Sequence, residues 1–240
     1  MVIAIGHRGA PFHEPENTLL SFRKAIELGA EMIELDVHMS SDDEIVVIHD
    51  ETVDRTTDGK GQVAEMTLSD LRSLDAGKGE RIPILSEVLD FVDGVVPVNI
   101  ELKGSNTAGP VHDELSSRID AGALAEEYLV SSFDPVLLND FTVLGGGIPS
   151  GVLMSGKPEL AIDFARDIGA VSVNPSSRFT TERFVRAAHA RGFEVYVWTV
   201  DDPDEMLRLA RMGVDGIFSN APERVLSIRA ELDVGGECGR

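Results

Sequence analysis

Eight short runs rich in β-branched residues, each followed by an amphipathic stretch, are spread over all 240 residues of the chain. That alternation narrows the open folds more than any other feature. The runs are VIAIG at 2–6, MIELDVH at 32–38, VPVNIEL at 96–102, YLVSS at 128–132, SGVLM at 150–154, AVSVN at 170–174, FEVYVWTV at 193–200 and DGIFS at 215–219. Strands that alternate with helical segments make a parallel sheet with crossover helices. Three of the helical segments, TLLSFRKAIELGA, TTERFVRAAHARG and DPDEMLRLARMG, close on Gly29, Gly192 and Gly213, where a helix C-cap belongs.

Eight strand–helix pairs in a chain of this length fit one α/β domain over 1–240, a closed (β/α)8 TIM barrel whose chemistry sits on loops at the C-terminal strand ends. An open doubly wound sheet is the structural alternative. About 35 residues from Glu51 to Leu85 follow EIVVIHD and carry many polar and glycine positions before SEVLDFV resumes a helix. A loop of that length is read as a small insertion after the second strand, lying over the barrel mouth. The tail from about 230 to 240 is expected to fray.

Forty-two acidic against 21 basic residues give a net charge of −21. That balance argues against nucleic-acid binding and against stable docking on an anionic membrane, and leaves small molecules as partners. Five basic residues are Lys and 16 are Arg, and with so acidic a surface the composition resembles proteins of high-salt cytoplasm. The one cysteine, Cys238, excludes an intramolecular disulfide and a thiolate zinc site. With neither a signal-peptide pattern nor a long apolar run, the expectation is a cytoplasmic protein. A homo-oligomer is compatible with all of this.

In a strand, residues i and i+2 share a face, so Glu34 and Asp36 in IELDV point together, as do Glu101 and Lys103 in NIELKG. Carboxylates gathered at a barrel centre would repel unless a cation neutralised them. Glu34, Asp36 and Glu101 are therefore candidate ligands of one divalent cation, and an all-oxygen set favours Mg2+ or Ca2+ over zinc. In so acidic a chain the competing interpretation is solvated surface acids.

His7 and His49 fall at ends of apolar runs and are candidate proton donors and acceptors. Arg8 offers a planar fork for a phosphate and Lys103 a compact positive charge, against the plainer view of Arg8 as a surface ion pair. Trp198, Phe12 and Phe133 are candidates for lining a pocket around the carbon part of a substrate, the alternative being ordinary core aromatics. In PENT, Asn17 or Thr18 caps the next helix while Glu16 and Asn17 position the His7 loop. His38 is expected to lend a supporting hydrogen bond, and His13, His112 and His189 to be ordinary surface or loop residues.

HRGAPFHEPENTLLSF, GAEMIELDVHMSSDDEIVVIHDETVDRTTDGKG, NIELKG, SSFDP and YVWTVDDPDEMLRLARMGVDGIFSNAP resemble, in order, motifs of the glycerophosphodiester phosphodiesterases. The resemblance covers about residues 3–226. It implies a (β/α)8 barrel with an insertion after the second strand, and hydrolysis of glycerophosphodiesters to glycerol 3-phosphate and an alcohol. By motif it implies His7 and His49 as the catalytic pair, Glu34, Asp36 and Glu101 as metal carboxylates, and Arg8 and Lys103 as phosphate-contacting cations. Two departures are visible: Asn220 in FSNAP stands where the family often has Asp, and the helix after NIELKG looks short. The rival functions are a lipid-directed phosphodiesterase on the same barrel and a non-catalytic phosphodiester-binding protein.

Overall fold

The computed structural model describes residues 1–156 and 158–237. Nine strands follow in chain order: β1 (Ile3–Gly6), β2 (Met32–Met39), β3 (Ile45–Val47), β4 (Val98–Leu102), β5 (Tyr128–Ser132), β6 (Ser150–Met154), β7 (Ser172–Pro175), β8 (Glu194–Val197) and β9 (Gly216–Ser219). All but β3 are parallel, in the order β1-β9-β8-β7-β6-β5-β4-β2. The ring closes because β1 pairs with both of its neighbours, Ile5 opposite Met32 of β2 and Ile3 opposite Gly216 of β9. The eight expected strands are thus the eight staves of a TIM barrel.

The helices around it are α1 (Leu19–Glu27), α2 (Leu68–Arg72), α3 (Leu85–Val92), α4 (Ala108–Asp120), α5 (Pro135–Val143), α6 (Pro158–Ile168), α7 (Glu182–His189), α8 (Pro203–Met212) and α9 (Pro222–Glu237). Their starts are written locally: Thr18, Asp134, Thr181 and Asp202 accept hydrogen bonds from the first-turn amides of α1, α5, α7 and α8. Pro135 and Pro203 follow their caps, where a missing N–H costs nothing. Gly29, Gly192 and Gly213 take φ of +88°, +84° and +83°, the left-handed turn that ends a helix.

Strand alternation sorts the core into two regions. Leu35, Val37, Ile100, Leu102 and Val130 point outward and are sealed between sheet and helices. Each such side chain contributes about 1.5–3 kcal/mol on leaving water. Their neighbours Glu34, Asp36, Asn99 and Glu101 are turned to the lumen and are also buried. Ile5, Met32, Leu129, Tyr196 and Phe218 form a separate apolar plug inside the barrel.

Three boundaries differ from expectation. The excursion after β2 starts at residue 40 rather than 51, because the chain turns at once and β3 runs antiparallel to β2, with Val37 opposite Val47 and Met39 opposite Ile45. This segment has its own apolar cluster of Val46, Ile48, Val53, Val63, Leu71, Ala76 and Ile82. The helix after NIELKG is not short: α4 has 13 residues. Gly109 and Pro110 fall in its first turn, where they break no established hydrogen bond but blur the periodic pattern. From the stretch expected to fray, residues up to Glu237 belong to α9, and Cys238 lies outside the described residues. Among the described residues no helix is long and apolar enough to cross a membrane.

Candidate active site

The chain leaves β1 through His7, Arg8 and Gly9, and the turn there is tight. Arg8 and Gly9 take φ of +53° and +88°. A Cβ on Gly9 would sit 2.3 Å from Ser21 Oγ, so only glycine fits. Ser21 in α1 locks the turn: its hydroxyl donates to the Arg8 carbonyl at 3.0 Å and accepts from the Ala10 amide at 2.8 Å. The strain of a left-handed arginine thereby aims its backbone N–H at Glu34 Oε2, 2.7 Å away.

Register brings the carboxylates together. Asp36 of β2 lies directly opposite Glu101 of β4, and one oxygen each from Glu34, Asp36 and Glu101 lie within 4.8 Å of one another. Each acid is anchored by one oxygen only. Glu34 uses Oε2 on Arg8. Asp36 Oδ2 accepts from Asn17 Nδ2 at 2.9 Å and lies 3.2 Å from Arg8 Nε, and Glu101 Oε1 accepts from Lys103 Nζ at 3.0 Å. Asp36 Oδ1 is buried without a hydrogen-bond partner among the described residues, 3.8 Å from Lys103 Nζ.

Burial and the Asp36 charge push the Glu101 carboxyl up to about 7. Burial, with the Asp36 and Glu101 charges, raises Glu34 well above the carboxylate range. Proton uptake is one way to relieve such a cluster, and a dication held by the free oxygens is the other. An orphaned anionic oxygen at the meeting point of three hard donors fits a divalent cation.

The two histidines line one cavity with Glu34 and Glu101. His7 Nδ1 donates to Asn220 Oδ1 at 2.9 Å, and Asn220 is fixed in turn by Asp201, which accepts from its Nδ2 at 2.6 Å and its backbone N–H at 2.8 Å. A carboxylate on the amide's NH2 group decides which way Asn220 points, and so which His7 nitrogen carries the proton. Burial, helped by Arg8, lowers the His7 pKa to about 4. His49 Nδ1 donates to Asp50 Oδ1 at 2.6 Å.

Arg55 grips Asp50 and Glu16 with two hydrogen bonds each, all between 2.7 and 3.0 Å. Glu16 also holds Arg8 at 2.8 Å. Burial alone would raise Glu16, but its bonds to Arg55 and Arg8 outweigh it and take the carboxyl down to about 2. His38 plays the expected supporting part, its Nε2 donating to the His49 carbonyl at 3.0 Å.

A cavity of about 130 Å³ sits between these groups, lined by His7, Arg8, Glu34, His49, Asn99 and Glu101, with Phe133 and Trp198 on its apolar side. Those two rings meet edge to face, centroids 5.0 Å apart, and Trp198 is pinned by donating to the Asn174 carbonyl at 2.7 Å. Lys103 borders a larger neighbouring groove and reaches the cluster through its ammonium. Phe12 is not brought to the cavity: it is 54 % exposed and lies under the Arg224 guanidinium, 5.2 Å from its carbon. His13 and His189 pair with Glu223 and Asp215 and do not line the cavity, and His112 packs edge-on against Phe141.

A family model for the glycerophosphoryl diester phosphodiesterase family matches residues 7–224, from the first of these histidines into the first turn of the last helix. This chain belongs to that family. A glycerophosphodiester phosphodiesterase of Caldanaerobacter subterraneus subsp. tengcongensis is 36 % identical over 235 residues, covering 94 % of this chain and 97 % of that protein. One from Bacillus subtilis is 30 % identical over 247 residues, covering 92 % and 84 %. Among solved structures, an Oleispira antarctica phosphodiesterase in complex with the product sn-glycerol-3-phosphate superposes with a TM-score of 0.84 at 28 % identity, covering 94 % of this chain and 96 % of that one.

Within this phosphodiesterase, residue-by-residue reading of the sequence missed the supporting acids and amides. Asp50, Arg55, Asp201 and Asn220 carry no periodic signal, and Asn220 was noted only as a departure from family habit. Asn17 positions the His7 loop as expected, its backbone N–H donating to the Arg8 carbonyl at 3.0 Å; in addition it takes φ +57° and gives its side chain to Asp36, while Thr18 is the cap. The preceding Pro15 and the two acids that Arg55 bridges were the available hints, and neither is specific.

Proposed function

We propose that this phosphodiesterase hydrolyses small glycerophosphodiesters to glycerol 3-phosphate and an alcohol, with a divalent cation, Mg2+ or Ca2+, on Glu34, Asp36 and Glu101 and with His7 and His49 as base and acid. One observation carries the reading: three half-anchored carboxylates converge within 4.8 Å in a cavity that both imidazoles and Arg8 also line. Charge supports it. Three carboxylates with Arg8 and Lys103 sum to −1, a dication makes +1, and that matches one phosphodiester anion. The relatives named for this activity, and the product named with the Oleispira antarctica structure, point the same way.

The cation supplies Lewis acidity and a fixed positive charge for the phosphoryl oxygens. Everything else is the work of side chains. His7, with Nδ1–H committed to Asn220, presents Nε2 as the base and takes the proton of the attacking hydroxyl, either that of water or that of the substrate's own glycerol, in which case water then opens the cyclic phosphate to give glycerol 3-phosphate. His49, its ring oriented by the Nδ1–H bond to Asp50, gives a proton to the leaving alcohol oxygen. Arg8 and Lys103 stabilise the negative charge that grows on phosphorus-bound oxygens, and Phe133 and Trp198 shield the carbon skeleton from water. Phe12, at the rim under Arg224, would meet only the outer part of a substrate. The single-domain organisation and a cytoplasmic setting complete the reading, resting on the acidic surface and the lone cysteine.

Release of glycerol 3-phosphate from glycerophosphocholine, compared with release from intact phospholipid vesicles, tests it. Turnover of the small diester alone is the expected result. Preference for vesicles would favour the lipid-directed alternative, and tight binding without turnover a phosphodiester sensor.

A further inference from the structure

Barrel lumens are ordinarily packed with apolar side chains, branched aliphatic ones above all, and half of this one is apolar. Around β1, β8 and β9 the inward positions are Ile3, Ile5, Tyr196, Trp198 and Phe218. Across the lumen, on β4 to β7, Asn99, Ser131, Gly151, Ser172 and Asn174 face inward beside Glu101, Leu129 and Leu153. The side chains of Asn99, Ser131, Ser172 and Asn174 are at most 1 % exposed. Both amide atoms of Asn99, both of Asn174 and the hydroxyls of Ser131 and Ser172 have no hydrogen-bond partner among the described residues.

Six orphaned polar atoms in one region are not a tolerable dry state. A buried donor or acceptor that has lost water and gained nothing forfeits its full desolvation energy, and six together would consume much of the stability of a domain this size. The arrangement is also continuous. Ser131 lies directly opposite Glu101, Gly151 opposite Ser131, and Ser172 opposite Gly151, so one rung of the sheet leads from the carboxylates down the polar wall. Gly151 lets the polar groups of the next strand close over it: a Cβ there would sit 2.5 Å from Ser172 Oγ and 2.9 Å from Asn174 Nδ2. At the upper end Asn99, opposite Glu34, lines the floor of the catalytic cavity. Buried groups of this kind are satisfied by ordered water, which makes about three hydrogen bonds each.

We propose that the polar half of the lumen is an internal water site: a cluster of ordered waters bonded to Asn99, Ser131, Ser172 and Asn174 that opens through Asn99 into the cavity floor and orients the carboxylates from below. Asn99 is then a positioning residue of the site. The first part stands on the lumen alone, and only the link to the carboxylates rests on their reading as a metal centre.

Oxygen-17 magnetic relaxation dispersion of the whole chain, with no metal added, detects long-lived internal waters in solution. The wild type should show them, and Ser131→Ala/Ser172→Ala/Asn174→Leu should lose most of that signal. An absent signal in the wild type, or an unchanged one in the folded triple variant, would overturn the proposal. If the triple variant does not fold, Asn99→Leu alone must lower the signal, and failure to do so has the same weight. The second arm is calorimetric titration with Mg2+ and Ca2+ alone: Asn99→Leu should weaken binding about tenfold, as loss of an outer-shell partner does. Asn99→Ser, which supplies a hydroxyl in place of the amide and leaves room for water, should restore most of it. Equal affinities in all three proteins would detach the water site from the carboxylates while leaving the relaxation result to stand or fall by itself.

Discussion

At His7 two further side chains serve one ring nitrogen: Asp201 fixes Asn220, and Asn220 Oδ1 takes the proton of Nδ1. On the proposed roles, His7→Ala and His49→Ala should each lower kcat about a hundredfold or more with the fold intact, read by steady-state kinetics and circular dichroism. Asn220→Ala should lower kcat about tenfold with little change in KM, because it frees the tautomer without removing the base. Asn220→Asp has a signed consequence for pH. His7 is held down to about 4, so it is already neutral across the ordinary range. A carboxylate in place of the amide favours the imidazolium, raises that pKa, and should move the acid limb of the kcat/KM profile to higher pH. A profile that stays put in the Asp variant would contradict the assignment of His7 as base. The carboxylates are legible in the sequence because period-2 alternation in an apolar strand tells which residues face the lumen, and the histidines because each directly follows an apolar run. Asp201 and Asp50 are not, since a loop residue's partner is set by the closure of the ring and not by spacing.

The excursion from residue 40 to 84 is the element that makes the site asymmetric. It delivers His49 from a strand antiparallel to the barrel and carries its own apolar cluster, so its packing is separable from that of the staves. Leu71→Ala, at a fully buried position of that cluster, should cost about 2–4 kcal/mol locally. The expected signature is faster hydrogen exchange across 40–84 and reduced turnover, with barrel amides still protected. Uniform loss of protection would mean that the excursion and barrel fold as one unit.

Arg55 ties the excursion to the first loop through Glu16. Because Glu16 falls from 4.5 to about 2 on folding, its contribution is complete above pH 4.5. It is lost as pH drops toward 2, and is worth on the order of 2 kcal/mol. Arg55→Ala should therefore flatten the acid limb of the stability curve, measured by urea denaturation at stepped pH. Eight strands could be read from composition because each is a dense β-branched run. The ninth, β3, lies in the apolar run EIVVI that ends at His49; it stands outside the count because no helical segment follows it, and its antiparallel register to β2 sets it apart from the staves.

The whole molecule carries −21 charges around a site that must hold an anion, and it resolves this by placing Arg8 and Lys103 against buried acids rather than spreading basic residues over the surface. Surface self-repulsion is screened by salt within about 10 Å at 0.1 M, so the thermal midpoint should rise with added KCl; a flat or falling midpoint would contradict the acidic surface as a source of strain. Closure of the barrel was readable from the count of strand–helix pairs, while the polar half of its lumen was not, since Ser and Asn at inward strand positions look like ordinary solvent-facing residues until the ring is closed. The most direct measurement is calorimetric titration of metal-stripped protein with Mg2+ and with Ca2+, paired with glycerophosphocholine turnover in the same samples. One cation per chain should bind, turnover should appear in proportion to its occupancy, and Glu34→Gln, Asp36→Asn and Glu101→Gln should each weaken binding at least tenfold. Full turnover in the stripped protein, or binding unchanged in those three variants, would contradict the account.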